Sequence, residues 1–220
     1  MKIKACIFDL DGTLLNTLST ITHYVNAAHA RVNARQITEK ECRALVGKGA
    51  RNLLVRSLAS VGASVSDFEA FFADYNADYN AAPDYLTEPY AGILEVVEKI
   101  ACSGMRIAVL SNKPEGAVRP LVKKIFGDRI PIVAGGRSGV PLKPNPLAVA
   151  PILEALGVDA SETAFIGDSG EDMETAKNYG AGLSVGVLWG YRDEEELSEK
   201  GADFLAKTPT DILAALGISG

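Results

Sequence analysis

Phe8-Asp9-Leu10-Asp11-Gly12-Thr13 follows directly on the apolar run Ile3 to Phe8. The run predicts a buried strand, and two carboxylates one residue apart stand where that strand should end and a loop begin. Carboxylates this close repel, and a carboxylate on the end of an apolar strand is costly to bury unpaired. A cation or a shared proton relieves the conflict. A divalent metal ion would do so and would draw a phosphorylated group to the same point.

Further along, short apolar runs alternate with helical patterns. Candidate strands are Ile3 to Phe8, Arg106 to Leu110, Ile130 to Ala134, Thr163 to Ile166 and Leu183 to Leu188, with a weaker one at Asp203 to Ala206. They are nearly continuous in aliphatic residues rather than alternating, the pattern of strands covered on both faces in a parallel sheet. Helical patterns fall at about 90–103, 115–126, 146–157 and 171–180. Strand and helix repeated in this way predict an open α/β fold.

The rhythm breaks between the first strand and Arg106, a stretch that is mostly helical in pattern. Thr38-Glu39-Lys40-Glu41 and Ser66-Asp67-Phe68-Glu69 both fit a capping box. Ala73-Asp74-Tyr75-Asn76 is followed at once by Ala77-Asp78-Tyr79-Asn80, which at helical spacing puts Tyr75 and Tyr79 on one side. Residues 16–85 therefore read as an all-helical insertion, leaving 1–15 and 86–220 as the α/β core. Because it departs from the end of the first strand, the insertion should lie over the C-terminal edge of the sheet.

Ligands of open parallel sheets bind beyond the carboxyl ends of the strands. Four polar clusters fall at such ends: Asp9, Asp11 and Thr13; Ser111-Asn112-Lys113; Lys143 in the loop from Gly135 to Pro146; and Gly167-Asp168-Ser169-Gly170-Glu171-Asp172. Each has an ordinary reading alone. A strand-end Asp is often a turn former, Ser111-Asn112 would cap a helix starting near Glu115, and a loop lysine is usually solvated. Together they would meet at one rim.

FDLDGTLLNT, LSNK, KPNP and GDSGEDM match in order and spacing the four signature motifs of the haloacid dehalogenase-like hydrolase superfamily. Val46-Gly47-Lys48-Gly49-Ala50, Pro89-Tyr90-Ala91-Gly92, Asn112-Lys113-Pro114 and Trp189-Gly190-Tyr191-Arg192 are similar to its phosphoglycolate phosphatase-like subgroup with a helical cap. Asn16 stands where Asp or Glu is common, and Ser111 where Thr is common, which keeps the hydroxyl. The resemblance implies a Rossmann-like parallel-sheet core with its first strand at the centre, and an inserted helical cap.

It also implies a magnesium-dependent phosphomonoester hydrolase acting through an aspartyl-phosphate on a small phosphometabolite such as phosphoglycolate. Asp9 would be the nucleophile and Asp11 the general acid and base. Ser111 and Lys143 would stabilise the phosphoryl group, with Lys143 also paired to Asp9. Mg²⁺ would be ligated by Asp9, the Asp11 carbonyl and Asp168, with Asp172 behind them. Thr13 and Asn112 would lie near substrate. Lys48 or Arg51 would meet an anionic group, the alternative being that Gly47-Lys48-Gly49 is a surface turn.

Composition excludes other classes. The 220 residues are 47% hydrophobic and 23% charged, with formal net charge −6. They carry no basic stripe for nucleic acid. Cys6, Cys42 and Cys102 are far apart, against a zinc or dithiol site. His23 and His29, six apart, are out of phase for a shared metal. With no long apolar run and no secretory leader pattern, the sequence predicts a cytoplasmic monomer or homodimer that does not engage membranes. A sugar-phosphate mutase of the same superfamily is the alternative enzyme. A phospho-accepting receiver domain is a poorer fit, being about half as long with its acceptor Asp after the third strand. A dehalogenase needs no second Asp, and a dinucleotide-binding domain would show G-x-G-x-x-G after the first strand.

Overall fold

The computed structural model describes residues 2–218. The chain begins with strand β1 (Ala5–Phe8), whose four residues are all fully buried. Burying each Ile or Phe of this kind contributes about 1.5–3 kcal/mol. A two-residue strand β2 (Leu15–Asn16) leads into four helices, α1 (Leu18–Arg31), α2 (Glu39–Leu45), α3 (Ala50–Ser60) and α4 (Phe68–Ala81). The chain returns through β3 (Glu88–Pro89), antiparallel to β2. This two-stranded ribbon, not foreseen from the sequence, ties the exit of the helical insertion to its re-entry.

The remainder alternates: α5 (Ile93–Cys102), β4 (Arg106–Pro114), α6 (Glu115–Phe126), β5 (Ile132–Gly136), α7 (Ala150–Leu156), β6 (Thr163–Gly167), α8 (Gly170–Tyr179), β7 (Leu183–Val187), α9 (Glu194–Glu199), β8 (Phe204–Ala206) and α10 (Pro209–Ala215). The six long-range strands form one parallel sheet in the order β5-β4-β1-β6-β7-β8. The architecture is α/β: a Rossmann-like sheet with β1 inside it and an all-helical insertion.

Apolar side chains pack on both faces of the sheet. Cys6, Phe8, Val109 and Ile166 meet α5, α6 and α10 on one side, and Ile7, Ala108 and Phe165 meet α7 and α8 on the other. A third cluster belongs to the insertion. Ile21, Tyr24, Val25 and Ala28 recur along α1 at helical spacing and pack with Leu54, Leu58, Phe71, Tyr75 and Tyr79. The Tyr75 and Tyr79 rings lie 5.8 Å apart on one face of α4.

Several local expectations change. Thr38 and Glu41 form the predicted capping box, but Ser66 does not cap α4. Asp67 does, accepting from the Ala70 N–H, and Glu69 turns outward to Arg51. β4 runs on through Ser111-Asn112-Lys113, because β5 stays alongside and pairs Gly136 with Pro114 after a break in register. Ser111 and Asn112 are thus strand residues, and Pro114, not either of them, precedes α6. The helix read at 146–157 splits into a single turn at Pro146–Ala148 and α7, with Pro151 in the first turn of α7. His29 is structural, its ring bonded to the Arg35 carbonyl and the Ser57 hydroxyl.

Candidate active site

The parallel sheet delivers the four polar clusters to one rim. Asp9 leaves β1 with its N–H still paired to the Ile166 carbonyl of β6. Asp168 follows β6, Ser111 to Lys113 end β4, and Lys143 lies beyond β5. A cavity at this rim is lined from below by Asp9, Asp11, Ser111, Asn112, Lys143 and Asp168. From above it is closed by Gly47, Leu53, Tyr75 and Tyr79 of the helical insertion.

Lys143 is the charge centre of the floor. Its ammonium lies 2.7 Å from Asp9 Oδ1 and 2.6 Å from Asp172 Oδ1. Burial acts against its charge, but Asp172 and Asp9 outweigh burial and hold the pKa above the usual lysine range. Asn112 fixes the loop that carries it. The Asn112 amide donates to the carbonyls of Gly47 and Lys143 and accepts from the Lys143 N–H. Asn112 lines the cavity, and its amide works chiefly as a brace between β4, the insertion and the Lys143 loop.

Asp9, Asp168 and Asp172 are buried and can bring one carboxylate oxygen each within 4.8 Å of the others. Burial pushes the Asp9 carboxyl up, Lys143 opposes, and Asp172 and Asp168 reinforce burial. Asp168 is pushed up to about 7, first by burial and then by Asp172. Three carboxylates against one ammonium leave negative charge in a low-dielectric site. An all-oxygen donor set of that kind fits a hard divalent cation such as Mg²⁺. Asp172 sits further back than the other two. Its second oxygen accepts from the Ser169 N–H and hydroxyl and the Asp168 N–H, so it starts α8 while it holds Lys143.

Asp11 stands apart from that triad. Thr17 donates to its Oδ1 at 2.7 Å and Lys113 at 2.8 Å. Lys113 also donates to the Tyr79 hydroxyl of α4. Gly12 allows this crowding: its φ is +91°, and a Cβ there would lie 2.3 Å from Asp168 Oδ2.

Three expected substrate contacts change role. The Thr13 hydroxyl, fully buried, donates to Asp168 Oδ1 rather than capping a turn or facing the cavity. Arg51 turns away from the cavity to a two-bond ion pair with Glu69 and lies over the Phe68 and Phe72 rings. Lys48 is exposed and reaches Glu171 at 3.4 Å, outside the cavity lining. The Gly47-Lys48-Gly49 turn meets the cavity through its glycines, while Lys48 and Arg51 pair with Glu171 and Glu69 on the outer surface.

Lys113, Tyr191, Arg43 and Arg192 join the site only in the structure. Lys113 was visible as the third member of a polar strand end. Tyr191 and Arg192 lie in a stretch similar to the phosphatase-like subgroup, but nothing in it marks them as site residues, and Arg43 gives no signal, because all three act on or through backbone groups of distant segments. The Tyr191 N–H donates to Asp168 Oδ2 at 2.7 Å, and Arg43 and Arg192 bond carbonyls across the gap between α2 and the loop after β7.

Fold and rim together define an α/β enzyme with an acidic centre beneath a helical insertion. The chain belongs to the haloacid dehalogenase-like hydrolase family, whose model matches residues 6–185. Its likeness within that family is to phosphatases. The phosphoglycolate phosphatase of Rhodospirillum rubrum is 36% identical over 201 residues, covering 87% of this chain and 82% of its own. That of Vibrio parahaemolyticus is 31% identical over 227 residues, covering 99% and 97%. A crystal structure of a predicted phosphoglycolate phosphatase from Haemophilus somnus superposes with a TM-score of 0.90 at 26% identity, covering 98% of each chain. Among the described residues no helix is long and apolar enough to cross a membrane.

Proposed function

We propose that this phosphatase hydrolyses a small phosphomonoester through an aspartyl-phosphate on Asp9, with Mg²⁺ as cofactor. The observation that carries the reading is the floor of the cavity, where Lys143 holds Asp9 at 2.7 Å within reach of Asp168 and Asp172. In this reading residues 16–85 are the cap, and 1–15 with 86–220 the core.

Asp9 attacks phosphorus and the bond to the leaving alkoxide breaks. Asp11 gives that oxygen a proton, then takes one from the water that hydrolyses the acyl phosphate. Ser111, which lines the cavity, and Lys143 offer a hydroxyl and an ammonium to the phosphoryl oxygens. Positioning and charge stabilisation of this kind dominate phosphoryl transfer. Mg²⁺, held by Asp9 and Asp168 with Asp172 behind them, would supply further positive charge to those oxygens. The insertion excludes bulk water while it lies over the rim.

The cavity between the rim and the insertion measures about 60 Å³ and is partly open to solvent. Phosphoglycolate, the substrate in the relatives' names, is the first candidate. Asp9→Asn should lower phosphate release from a panel of small phosphomonoesters with Mg²⁺ by at least about 10³-fold, the scale seen on losing a nucleophile. The unaltered enzyme quenched in acid during turnover should carry phosphate on Asp9. Turnover by Asp9→Asn within tenfold of the unaltered enzyme would defeat the reading.

A further inference from the structure

The loop after β7 touches the catalytic carboxylates and the insertion at once. Gly190 packs so closely on Asp168 that a Cβ there would lie 2.2 Å from the Asp168 Cβ. The next N–H, of Tyr191, donates to Asp168 Oδ2 at 2.7 Å. The Tyr191 ring reaches the other way, its hydroxyl 2.9 Å from Thr17 Oγ1. Thr17 spends its only proton on Asp11 Oδ1, so Tyr191 is the donor in that contact. One two-residue turn thus supports Asp168 through its backbone and Asp11 through a two-hydroxyl relay.

Arg43, on α2 of the insertion, grips that same turn. Its guanidinium donates to the carbonyls of Gly190 and of Tyr191, the latter at 2.9 Å. The grip is returned by Arg192, which donates to the carbonyls of Arg43 at 2.8 Å and Val46 at 2.7 Å. The planar fork of arginine suits two adjacent carbonyls, and it stays charged at any working pH.

We propose that Arg43 is a positioning residue: from the cap it fixes the Gly190-Tyr191 turn, and through the turn it sets the Asp168 and Asp11 carboxylates. Docking of the cap would then complete the metal and acid-base geometry as well as exclude water. The inference rests on the roles given above to Asp168 and Asp11. It adds that a residue touching neither substrate nor metal governs both.

Trp189 supplies a readout independent of turnover. It is the only tryptophan of the chain, it precedes the turn, and its Nε1–H donates to the Thr13 carbonyl. Arg43 is exposed, so Arg43→Ala leaves no buried charge behind. Outer-shell partners are typically worth 10–100-fold in metal affinity or activity, so Arg43→Ala should lower kcat and raise the Mg²⁺ midpoint of Trp189 fluorescence by about tenfold each, with KM changed less than about threefold. Arg43→Lys, able to reach one carbonyl, should fall between. Lys124→Ala breaks a different contact, the ion pair from α6 to Asp84, and should move neither quantity. A rise in KM alone, an unchanged Mg²⁺ midpoint, or a Lys124→Ala effect equal to that of Arg43→Ala would overturn the proposal. If the unaltered protein released no phosphate from any ester, the hydrolase reading would fail instead, and the fluorescence titration would still decide the role of Arg43.

Discussion

Asp11 and Lys113 form an ion pair, Oδ1 to Nζ 2.8 Å, with side chains only 12% and 5% exposed. The lysine comes from the end of β4 and the carboxylate from the loop after β1. Tyr79 completes the contact from the insertion, its hydroxyl 2.6 Å from the same ammonium. The group assigned to proton transfer is thus held by a cation that the cap also touches.

Lys113→Met should therefore act on stability and on rate. It leaves Asp11 without its cation and Tyr79 without its donor. Breaking a buried pair by removing one partner typically costs about 3–5 kcal/mol, which urea denaturation would register. The same variant should release phosphate more slowly at saturating substrate. A variant as stable and as fast as the parent would mean that the pair carries nothing.

Asn112→Ala should be felt at Lys143. Its amide satisfies the Lys143 N–H and the carbonyls of Gly47 and Lys143. Leaving such groups unsatisfied costs about 1–3 kcal/mol, read as a lower denaturation midpoint. The released Lys143 loop should also lower kcat. Asn112→Asp keeps the acceptor but not the donors, and should recover only part of either loss.

Divalent metal should stabilise the fold itself. Asp9 and Asp172 share the Lys143 ammonium, while the neighbouring Asp168 has no ion pair of its own among the described residues. A ligand that binds only the folded state at 100 times its Kd adds about 2.7 kcal/mol. Thermal melts in Mg²⁺ should therefore rise above those in chelator. Asp168→Asn should abolish most of that rise, and an equal rise in the variant would remove Asp168 from the metal site.

Glu41 predicts a pH effect far from the chemistry. The Arg35 guanidinium first, then the Thr38 N–H and hydroxyl, hold its carboxyl down at about 2. An unfolded Glu titrates near about 4.3. The folded pKa is the lower one, so the contribution is complete above about 4.3 and is lost as pH falls toward 2. Glu41→Gln should make the melting temperature less dependent on pH across that window. Identical acid limbs for the two proteins would count against the capping box as a charged contact.

The chain order of apolar runs and carboxylates carried a large part of this protein. Aliphatic runs bounded by Asp9, Ser111 and Asp168 were enough to place parallel strands and their polar ends, because burial on both faces and ligand binding at one edge are local demands on each segment. The same logic brought Lys143 to the common rim, and the family resemblance paired it with Asp9. What tertiary structure alone decided is which charges remain free. Lys48 and Arg51 lie in the right segment to meet a substrate, yet Glu171 and Glu69 claim them from other helices. Thr13 is turned to Asp168, and Arg43 to the carbonyls of a loop almost 150 residues away. An ion pair or a hydrogen bond to a distant carbonyl leaves no periodicity in either segment, so only the packing of the two together selects it.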